Sequence, residues 1–359
     1  MRAFAPGRVN LMGDHTDYLG GLVLPVATPM GTTVTGLRLE DRIVLESAGV
    51  GGRVDLSLPS GDRTVPGEVV DPPPPEEAGS DLPTWGRFVV AVVEEVFDGS
   101  PPHGIEGGIT SDLPIGAGLS SSASLEVALA LALGWRGSPL DLASRCRRAE
   151  TSAVGVPCGI MDQVAVTAAR AGHALLLDCA TTTWGHVEVP ADLEIVVVDS
   201  GQARRLEGSE YADRRHQAEE AARRILGADV DPGGGPFRGL APEDAGSAGD
   251  PLLVARARHH IGENSRVESM AAALSAGDLA AAGHLMSESH LSLARDYEVS
   301  TPTLDRLVRD LGDIPGVYGA RLTGAGFGGC VVAIARRGAV DPADFHRAWV
   351  VVPSAGALG

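Results

Sequence analysis

Residues 113–124 read LPIGAGLSSSAS and run directly into the apolar stretch 125–133. Because glycine lacks a Cβ, Gly116 and Gly118 allow the backbone to approach a ligand closely. The serines then stand at the start of a helix predicted over residues 122–133, where free N–H groups and the helix dipole favour an anion. The pattern therefore favours a loop that binds a triphosphate, with a serine hydroxyl able to reach its magnesium ion.

Two observations separate this loop from its alternatives. A simple helix cap would explain one serine but not three, and Leu125 stands where a capping box needs Glu or Gln. A Walker A loop is excluded because GxxxxGK[ST] is absent and the chain contains no lysine. The same absence excludes a protein-kinase strand lysine, a Schiff base and a pyridoxal phosphate anchor.

The composition narrows the possible partners and location. The 359 residues are 44% hydrophobic and carry a net charge of -18, which argues against nucleic acid and anionic membranes as partners. The start of the chain has no long apolar region, and residues 125–133 are too few to span a bilayer. Four widely spaced cysteines indicate free thiols. We therefore expect a cytoplasmic protein, a monomer or at most a weak dimer.

Hydrophobic periodicity predicts an α+β fold in two domains, residues 1–185 and residues 186–359. The segments 71–80 and 227–250 are rich in proline or glycine and are predicted to be surface loops. Helices are predicted at 82–97, 122–133, 140–152, 159–170, 209–225, 265–275, 279–289 and 302–311. Strands are predicted at 23–34, 43–45, 174–178, 193–198, 319–322, 330–335 and 349–352.

A polar cluster occupies residues 6–21, which read PGRVNLMGDHTDYLGG. Its carboxylates, histidine and arginine could hold several hydroxyl groups at once, because each accepts or donates in fixed directions. Sugar recognition needs that arrangement. A solvated turn is the plainer interpretation, since Asp, Thr and Gly favour turns, and a metal site is a third, although the ligand spacing is irregular.

Two acidic residues stand out further along the chain. Asp162 lies near the start of a predicted helix, where the dipole keeps a carboxylate ionised, as a base near Arg8 would need. The alternative is an aspartate at a helix end in solvent. Glu150 lies near the end of the preceding helix, where the dipole disfavours it. It could be a metal ligand or could form an ion pair with Arg147.

A third glycine-rich stretch, residues 323–330 (TGAGFGGC), joins two predicted strands into a hairpin. Together the motifs resemble a known family. GRVNLMGDHTDY is similar to the galactokinase signature, LPIGAGLSSSASLEVA resembles the phosphate-binding motif of the GHMP kinases, and LTGAGFGGC resembles their third motif. PCGIMDQ and GSEYADRRHQA also resemble galactokinase segments, and all five occur in the family's order.

The resemblance implies a two-domain GHMP kinase fold with the active site between the domains, and transfer of the γ-phosphoryl of MgATP to the anomeric hydroxyl of galactose. Asp162 would be the catalytic base, and Arg8 would stabilise the reacting groups. Ser122 and Glu150 would ligate Mg²⁺. The sugar would be bound by Asp14, His15, Asp17, Gly159 and Tyr211. The nucleotide would be bound by Gly116, Gly118, Leu119, Ser120, Ser121, Ser122 and Trp85.

The sequence departs from the family at Asp14, where galactokinases have glutamate. Aspartate is one methylene shorter, so its oxygens fall short by about 1.5 Å. A direct hydrogen bond to the sugar, worth about 1 kcal/mol, could be lost or replaced by a bridging water. The acceptor could therefore be another hexose, an amino sugar or a cyclitol. A sugar-sensing regulator without catalysis is a further alternative.

Overall fold

A computed structural model describes residues 1–59, 82–114, 116–155, 158–202 and 209–359. The loop predicted at 71–80 lies outside these residues. The helices are α1 (Gly86–Phe97), α2 (Ser121–Ala132), α3 (Pro139–Val154), α4 (Met161–Ala168), α5 (Ser209–Leu226), α6 (Pro251–Ala276), α7 (Leu279–Arg295) and α8 (Pro302–Gly312). The strands are β1 (Arg2–Asn10), β2 (Leu22–Val23), β3 (Pro25–Leu39), β4 (Arg42–Ser47), β5 (Arg53–Ser57), β6 (Gly104–Ser111), β7 (His173–Asp178), β8 (Thr183–Glu188), β9 (Leu193–Asp199), β10 (Val317–Leu322), β11 (Cys330–Arg336) and β12 (Ala348–Val351). The predicted α+β class is confirmed.

The first half of the chain is built on a five-stranded sheet in the order β1-β3-β6-β4-β5. All its pairs are antiparallel except β4 with β6. Helices α1, α2 and α3 share one apolar core with this sheet, and Val92, Val127 and Leu142 are fully buried within it. The sheet therefore supports α2 through a shared core. The predicted phosphate-binding loop leads into the first turn of this helix.

The second sheet has the antiparallel order β10-β11-β9-β12. Side chains alternate across a strand, so β9 sends Ile195 and Val197 into one core and Val196 and Val198 into another. A strand covered on both faces reads as a continuous apolar run, which is why the sequence predicted β9 and β11 closely. The predicted hairpin around residues 323–330 is confirmed.

Helix α6 is longer than its prediction. It spans 26 residues, whereas the sequence pattern indicated only residues 265–275. Its first half carries Arg256, His259 and His260, all buried. Polar residues that face a core break the apolar periodicity from which a helix is predicted. The loop predicted at 227–250 is largely irregular and holds two short 3₁₀ helices.

The carboxyl end of α4 is closed by a segment from far along the chain. Gly356, Ala357 and Leu358 donate their backbone N–H groups to the carbonyls of residues 169, 166 and 167, at 2.7, 2.8 and 3.0 Å. These carbonyls belong to the unsatisfied last turn that every helix presents. In the part of the chain that the structure describes, no helix is both long and apolar enough to cross a membrane.

Candidate active site

A cavity of about 850 Å³ brings together nearly all the residues singled out from the sequence. Its walls come from the segment after β1, the loop before α2, and the facing parts of α3, α4 and α5. Leu119 is the one predicted site residue not on its wall. The Leu119 side chain is buried in the core, while its carbonyl accepts from Arg8 N at 3.1 Å. The predicted residues that line the cavity are Arg8, Asp14, His15, Asp17, Trp85, Gly116, Gly118, Ser120, Ser121, Ser122, Glu150, Gly159, Asp162 and Tyr211.

Arg8 and Asp162 form an ion pair on the cavity wall. Arg8 Nη2 lies 2.7 Å from Asp162 Oδ1, and Arg8 Nη1 donates to the carbonyl of Gly118 at 2.6 Å. Ser120 Oγ donates to Asp162 Oδ2 at 2.6 Å. The Arg8 side chain is only 5% exposed, whereas that of Asp162 is 25% exposed. Asp162 thus keeps one face open to the cavity, and because it is paired with Arg8 and Ser120, the alternative of a solvated helix-end aspartate is wrong.

The glycine-serine loop has the backbone geometry of an anion site. Gly116, Gly118 and Ser120 have positive φ angles of 73°, 80° and 59°. Helix α2 begins at Ser121. The hydroxyl of the preceding residue, Ser120, is bound to Asp162 and does not cap the helix. The first N–H groups of α2 are therefore left without a side-chain cap, next to the cavity. Simple capping does not explain these serines.

Glu150 is held by three side chains. Ser122 Oγ donates to its Oε1, and Gln163 Nε2 and Cys158 Sγ donate to Oε2 at 2.6 and 3.3 Å. Burial raises the pKa of Glu150, and nearby Asp162 raises it further. Among the described residues, the alternative ion pair with Arg147 is not formed. A hydroxyl beside a carboxylate is an oxygen donor set that suits a hard cation such as Mg²⁺.

Glu126 lies within the apolar stretch 125–133 and was not predicted to be a site residue. It is 0% exposed, and within the described residues neither carboxylate oxygen has a hydrogen-bond partner. Burial raises its pKa strongly, and the charge of Glu150 raises it further. A buried acid without a cationic partner stays neutral, because ionisation would leave an uncompensated charge. An acidic residue inside an otherwise apolar helix was the signal for this residue.

The predicted sugar-binding residues differ in what they contact. Asp14 is 1% exposed, and its two oxygens accept from Arg321 and from Gly324 N, the latter at 3.0 Å. His15 has a positive φ of 68°, and its Nε2 lies 3.0 Å from the carbonyl oxygen of Ala325. Both residues therefore connect the segment after β1 to the glycine loop at 323–330.

Asp17 lies over the backbone of Gly159. A Cβ placed on Gly159 would come within 1.8 Å of Asp17 Oδ2, so a larger residue there would displace the Asp17 side chain. Burial raises the pKa of Asp17 to about 7, and the charge of Asp162 also raises it. Asp162 is therefore close enough to raise the pKa of Asp17 through its charge.

Tyr211 and Trp85 complete the predicted set. Tyr211, on α5, is half-buried, and its ring centroid lies 5.7 Å from that of His15. Trp85 precedes α1, and its Nε1 donates to the carbonyl of Gly51 at 2.8 Å, which fixes the ring beside the turn between β4 and β5.

Arg321 was not singled out from the sequence. It is 0% exposed and pairs with Asp14, and its Nη1 lies 3.5 Å from Glu263 Oε1. The same nitrogen donates to the carbonyl of Leu11 at 3.0 Å, and Nε donates to that of Leu322 at 3.1 Å. An arginine inside a buried strand was the only sequence signal for this network.

The open helix start beside an Arg–Asp pair suits phosphoryl transfer, and matches to family models place the chain in the GHMP kinase class. Residues 87–170 match the GHMP kinases N terminal domain, and residues 270–343 match GHMP kinases C terminal. The mevalonate kinase of Methanococcus jannaschii superposes with a TM-score of 0.60 at 19% identity, over 98% of this chain and 97% of that one, a similarity of fold alone.

Closer similarities identify the family. Residues 1–37 match the galactokinase galactose-binding signature. The galactokinases of Bos taurus and Roseiflexus are each 41% identical, over 92% and 94% of this chain and 82% and 84% of their own lengths. The Lactococcus lactis galactokinase complexed with galactose superposes with a TM-score of 0.84 at 31% identity, over 99% of this chain and 94% of that one. The chain belongs to the galactokinase family, as its motifs predicted.

Proposed function

We propose that this protein transfers the γ-phosphoryl group of MgATP to the anomeric hydroxyl of galactose, giving galactose 1-phosphate. The observation that carries the proposal is the Arg8–Asp162 pair, 2.7 Å apart, on the wall of a cavity that also holds the open start of α2. The family membership and the galactose-binding signature support the choice of sugar.

The reaction would be a direct in-line transfer, in which most of the catalysis is positioning and charge stabilisation. Asp162 would accept the proton of the attacking hydroxyl, since its carboxylate is partly exposed to the cavity. Arg8 would hold that carboxylate and offset negative charge on the transferring group. The loop at 116–121 would bind the phosphates through its backbone N–H groups.

Magnesium would be held by the hydroxyl of Ser122 and the carboxylate of Glu150, which already lie in contact. When bound, the ion would neutralise charge on the β- and γ-phosphates. Trp85 would lie against the adenine ring, a placement supported only by its position on the cavity wall.

The sugar would be recognised by Asp14, His15, Asp17, Gly159 and Tyr211. Asp14 is the position where the chain departs from the family, and its oxygens already accept from Arg321 and from a backbone N–H group. It would therefore reach a sugar hydroxyl through a remaining lone pair or a water molecule. A related sugar or a cyclitol as the acceptor is the second candidate, and Asp14 is the observation that favours it.

A panel of acceptors tests the proposal. Purified protein with MgATP is given galactose, other hexoses, amino sugars and cyclitols, and ADP release is followed. We expect galactose to give the highest kcat/KM and the product to carry phosphate on its anomeric oxygen. Faster ADP release with another acceptor would favour the second candidate. ADP release that no acceptor accelerates would indicate a non-catalytic sensor.

The division at residue 185, the cytoplasmic location and the monomeric or weakly dimeric state stay predictions.

A further inference from the structure

The imidazole of His15 is joined to a buried series of polar rings, Tyr18, Tyr297 and His260, here called the ring chain. His15 Nδ1 lies 3.2 Å from the Tyr18 hydroxyl, which lies 2.6 Å from the Tyr297 hydroxyl. His260 Nε2 lies 3.1 Å from the same Tyr297 oxygen. Tyr297 is 0% exposed, and neither it nor His260 is among the described residues of the cavity wall.

The hydrogen bonds of the ring chain have a defined direction. His15 Nε2 faces the carbonyl of Ala325, which can only accept, so Nε2 carries the hydrogen. In a neutral imidazole Nδ1 then accepts, and Tyr18 donates to it. Tyr18 has used its hydrogen, so it accepts from Tyr297, whose hydroxyl lies closer to Tyr18, at 2.6 Å, than to its other acceptor, the carbonyl of Arg214, at 3.3 Å. The Tyr297 oxygen in turn accepts from His260 Nε2–H.

The rings at the far end of the ring chain are neutral and packed against other side chains. Phe237 stacks on His260 with ring centroids 4.9 Å apart, and the guanidinium carbon of Arg256 lies 5.7 Å from the centroid of the Tyr297 ring. Burial raises the pKa of both phenols, Tyr18 and Tyr297, and lowers that of His260. Buried hydroxyls whose positions are fixed by packing can set the orientation of the group they contact.

We propose that Tyr297 is a positioning residue for sugar recognition, which holds the Tyr18 hydroxyl against Nδ1 of His15 and so fixes the orientation of the His15 ring without touching the substrate. The inference rests on the proposed function, in which His15 contacts the sugar. It adds to that function a residue from the segment after α7, remote in sequence from the sugar-binding signature.

The test removes only the hydroxyl of Tyr297. In Tyr297→Phe we expect the KM and the calorimetric Kd for galactose to rise about tenfold, the effect of losing one oriented hydrogen bond at a binding group. The KM for ATP and kcat at saturating sugar should stay within about twofold. Tyr318→Phe is the matched control, because it deletes the same atom from a half-buried tyrosine on β10.

A spectroscopic measurement on the wild type does not depend on whether the variant folds. With ¹⁵N-labelled histidine, and His15→Gln to assign the signals, the wild-type His15 ring should show a hydrogen on Nε2 and an accepting Nδ1. In Tyr297→Phe the Nδ1 signal should move toward that of a ring with no hydrogen bond at Nδ1.

The outcomes separate this inference from the proposed function. A wild-type protein that neither binds nor phosphorylates galactose rejects the proposed function. If the wild type does both, a hydrogen on Nδ1 of His15 overturns the positioning role. Galactose constants in Tyr297→Phe that equal those of Tyr318→Phe also overturn it. An equal rise in the KM of galactose and of ATP does so too, because it would indicate a general structural effect.

Discussion

Two Arg–Asp ion pairs in this molecule have the same chemistry and different surroundings. Arg8–Asp162 leaves its aspartate side chain 25% exposed, whereas both side chains of Arg321–Asp14 are at most 1% exposed. In the first pair the carboxylate keeps a face open to the cavity. In the second, every partner is protein, and burial raises the pKa of Asp14 although Arg321 lowers it. The exposure of the aspartate, more than the residue types, indicates which pair is suited to catalysis and which is suited to stabilising the fold.

The largest expected effect is on turnover at the exposed pair. Asp162→Asn keeps the shape of the side chain but removes the proton acceptor, so kcat should fall about 10⁴-fold, equivalent to about 5.5 kcal/mol. ATP binding, measured by calorimetry, should stay near the wild-type value. Asp141→Asn, the same change at an exposed site on α3, should leave kcat unchanged. Wild-type turnover in Asp162→Asn would remove this residue from the mechanism.

The buried pair should instead determine stability. Arg321→Leu leaves the buried Asp14 carboxylate without its paired cation, whereas Glu263 keeps Arg266 at 2.8 Å, so the free energy of unfolding should fall by about 4 kcal/mol in urea titrations. Arg8→Leu, the same substitution at the exposed pair, should cost much less stability because water can reach Asp162, while turnover collapses. The comparison fails if both variants lose equal stability.

The pH dependence of stability tests a third aspartate, Asp17, which lies near Asp162 at the cavity. The pKa of Asp17 is about 7 in the folded protein, above its ordinary value, so the folded state holds this proton more tightly than the unfolded state. Its contribution to the free energy of unfolding is therefore complete below pH 4 and is lost as the pH rises to 7. We expect a loss of about 2 kcal/mol, roughly half of what the shift alone implies, because the site opens to solvent.

Unfolding titrations across this pH range test the expectation. Asp17→Asn should flatten the slope between pH 4 and pH 7, since the amide does not titrate. Asp141→Asn serves as the control and should keep the wild-type slope. A wild-type stability that rises with pH over this interval, with no change in Asp17→Asn, would contradict the assignment.

A third ion pair, on the surface, should contribute least to the free energy of unfolding. Arg53 and Glu46 are 2.9 Å apart, but their side chains are 53% and 64% exposed. Solvent screens such a pair, so Arg53→Ala should change the free energy of unfolding by no more than about 0.5 kcal/mol. A loss above 2 kcal/mol in the same urea titrations would show that exposure does not rank these pairs.

The sequence predicted the features that depend on local patterns. Strands β9 and β11 and the open helix start at Ser121 follow from apolar runs and from glycine and serine spacing. The start of α6 was missed, because His259 and His260 are polar residues that face a core. Strand β1 was missed because its polar residues indicated a binding loop, although it forms the edge strand of the five-stranded sheet.

Long-range pairing explains what the sequence could not show. Arg321 and Asp14 are 307 positions apart, and nothing in either neighbourhood indicates that they meet. The positions of Arg8 and Asp162 were predicted to converge only through family resemblance, since periodicity relates residues a few positions apart. Glu126 stood out locally as an acidic residue in an apolar helix. Whether such a residue is charged or neutral depends on which residues surround it in the folded protein.

The closure of α4 by residues 356–358 has a consequence for biosynthesis. The ribosome makes the helix that bears Asp162 long before it makes the segment that satisfies the helix's last carbonyls. Domains commonly begin to fold as they emerge, starting from the amino-terminal side. Here the emerging first half lacks a partner for that turn until residue 356 has left the exit tunnel. The last turn of the helix that bears Asp162 is therefore fully hydrogen-bonded only after residue 358 has been translated.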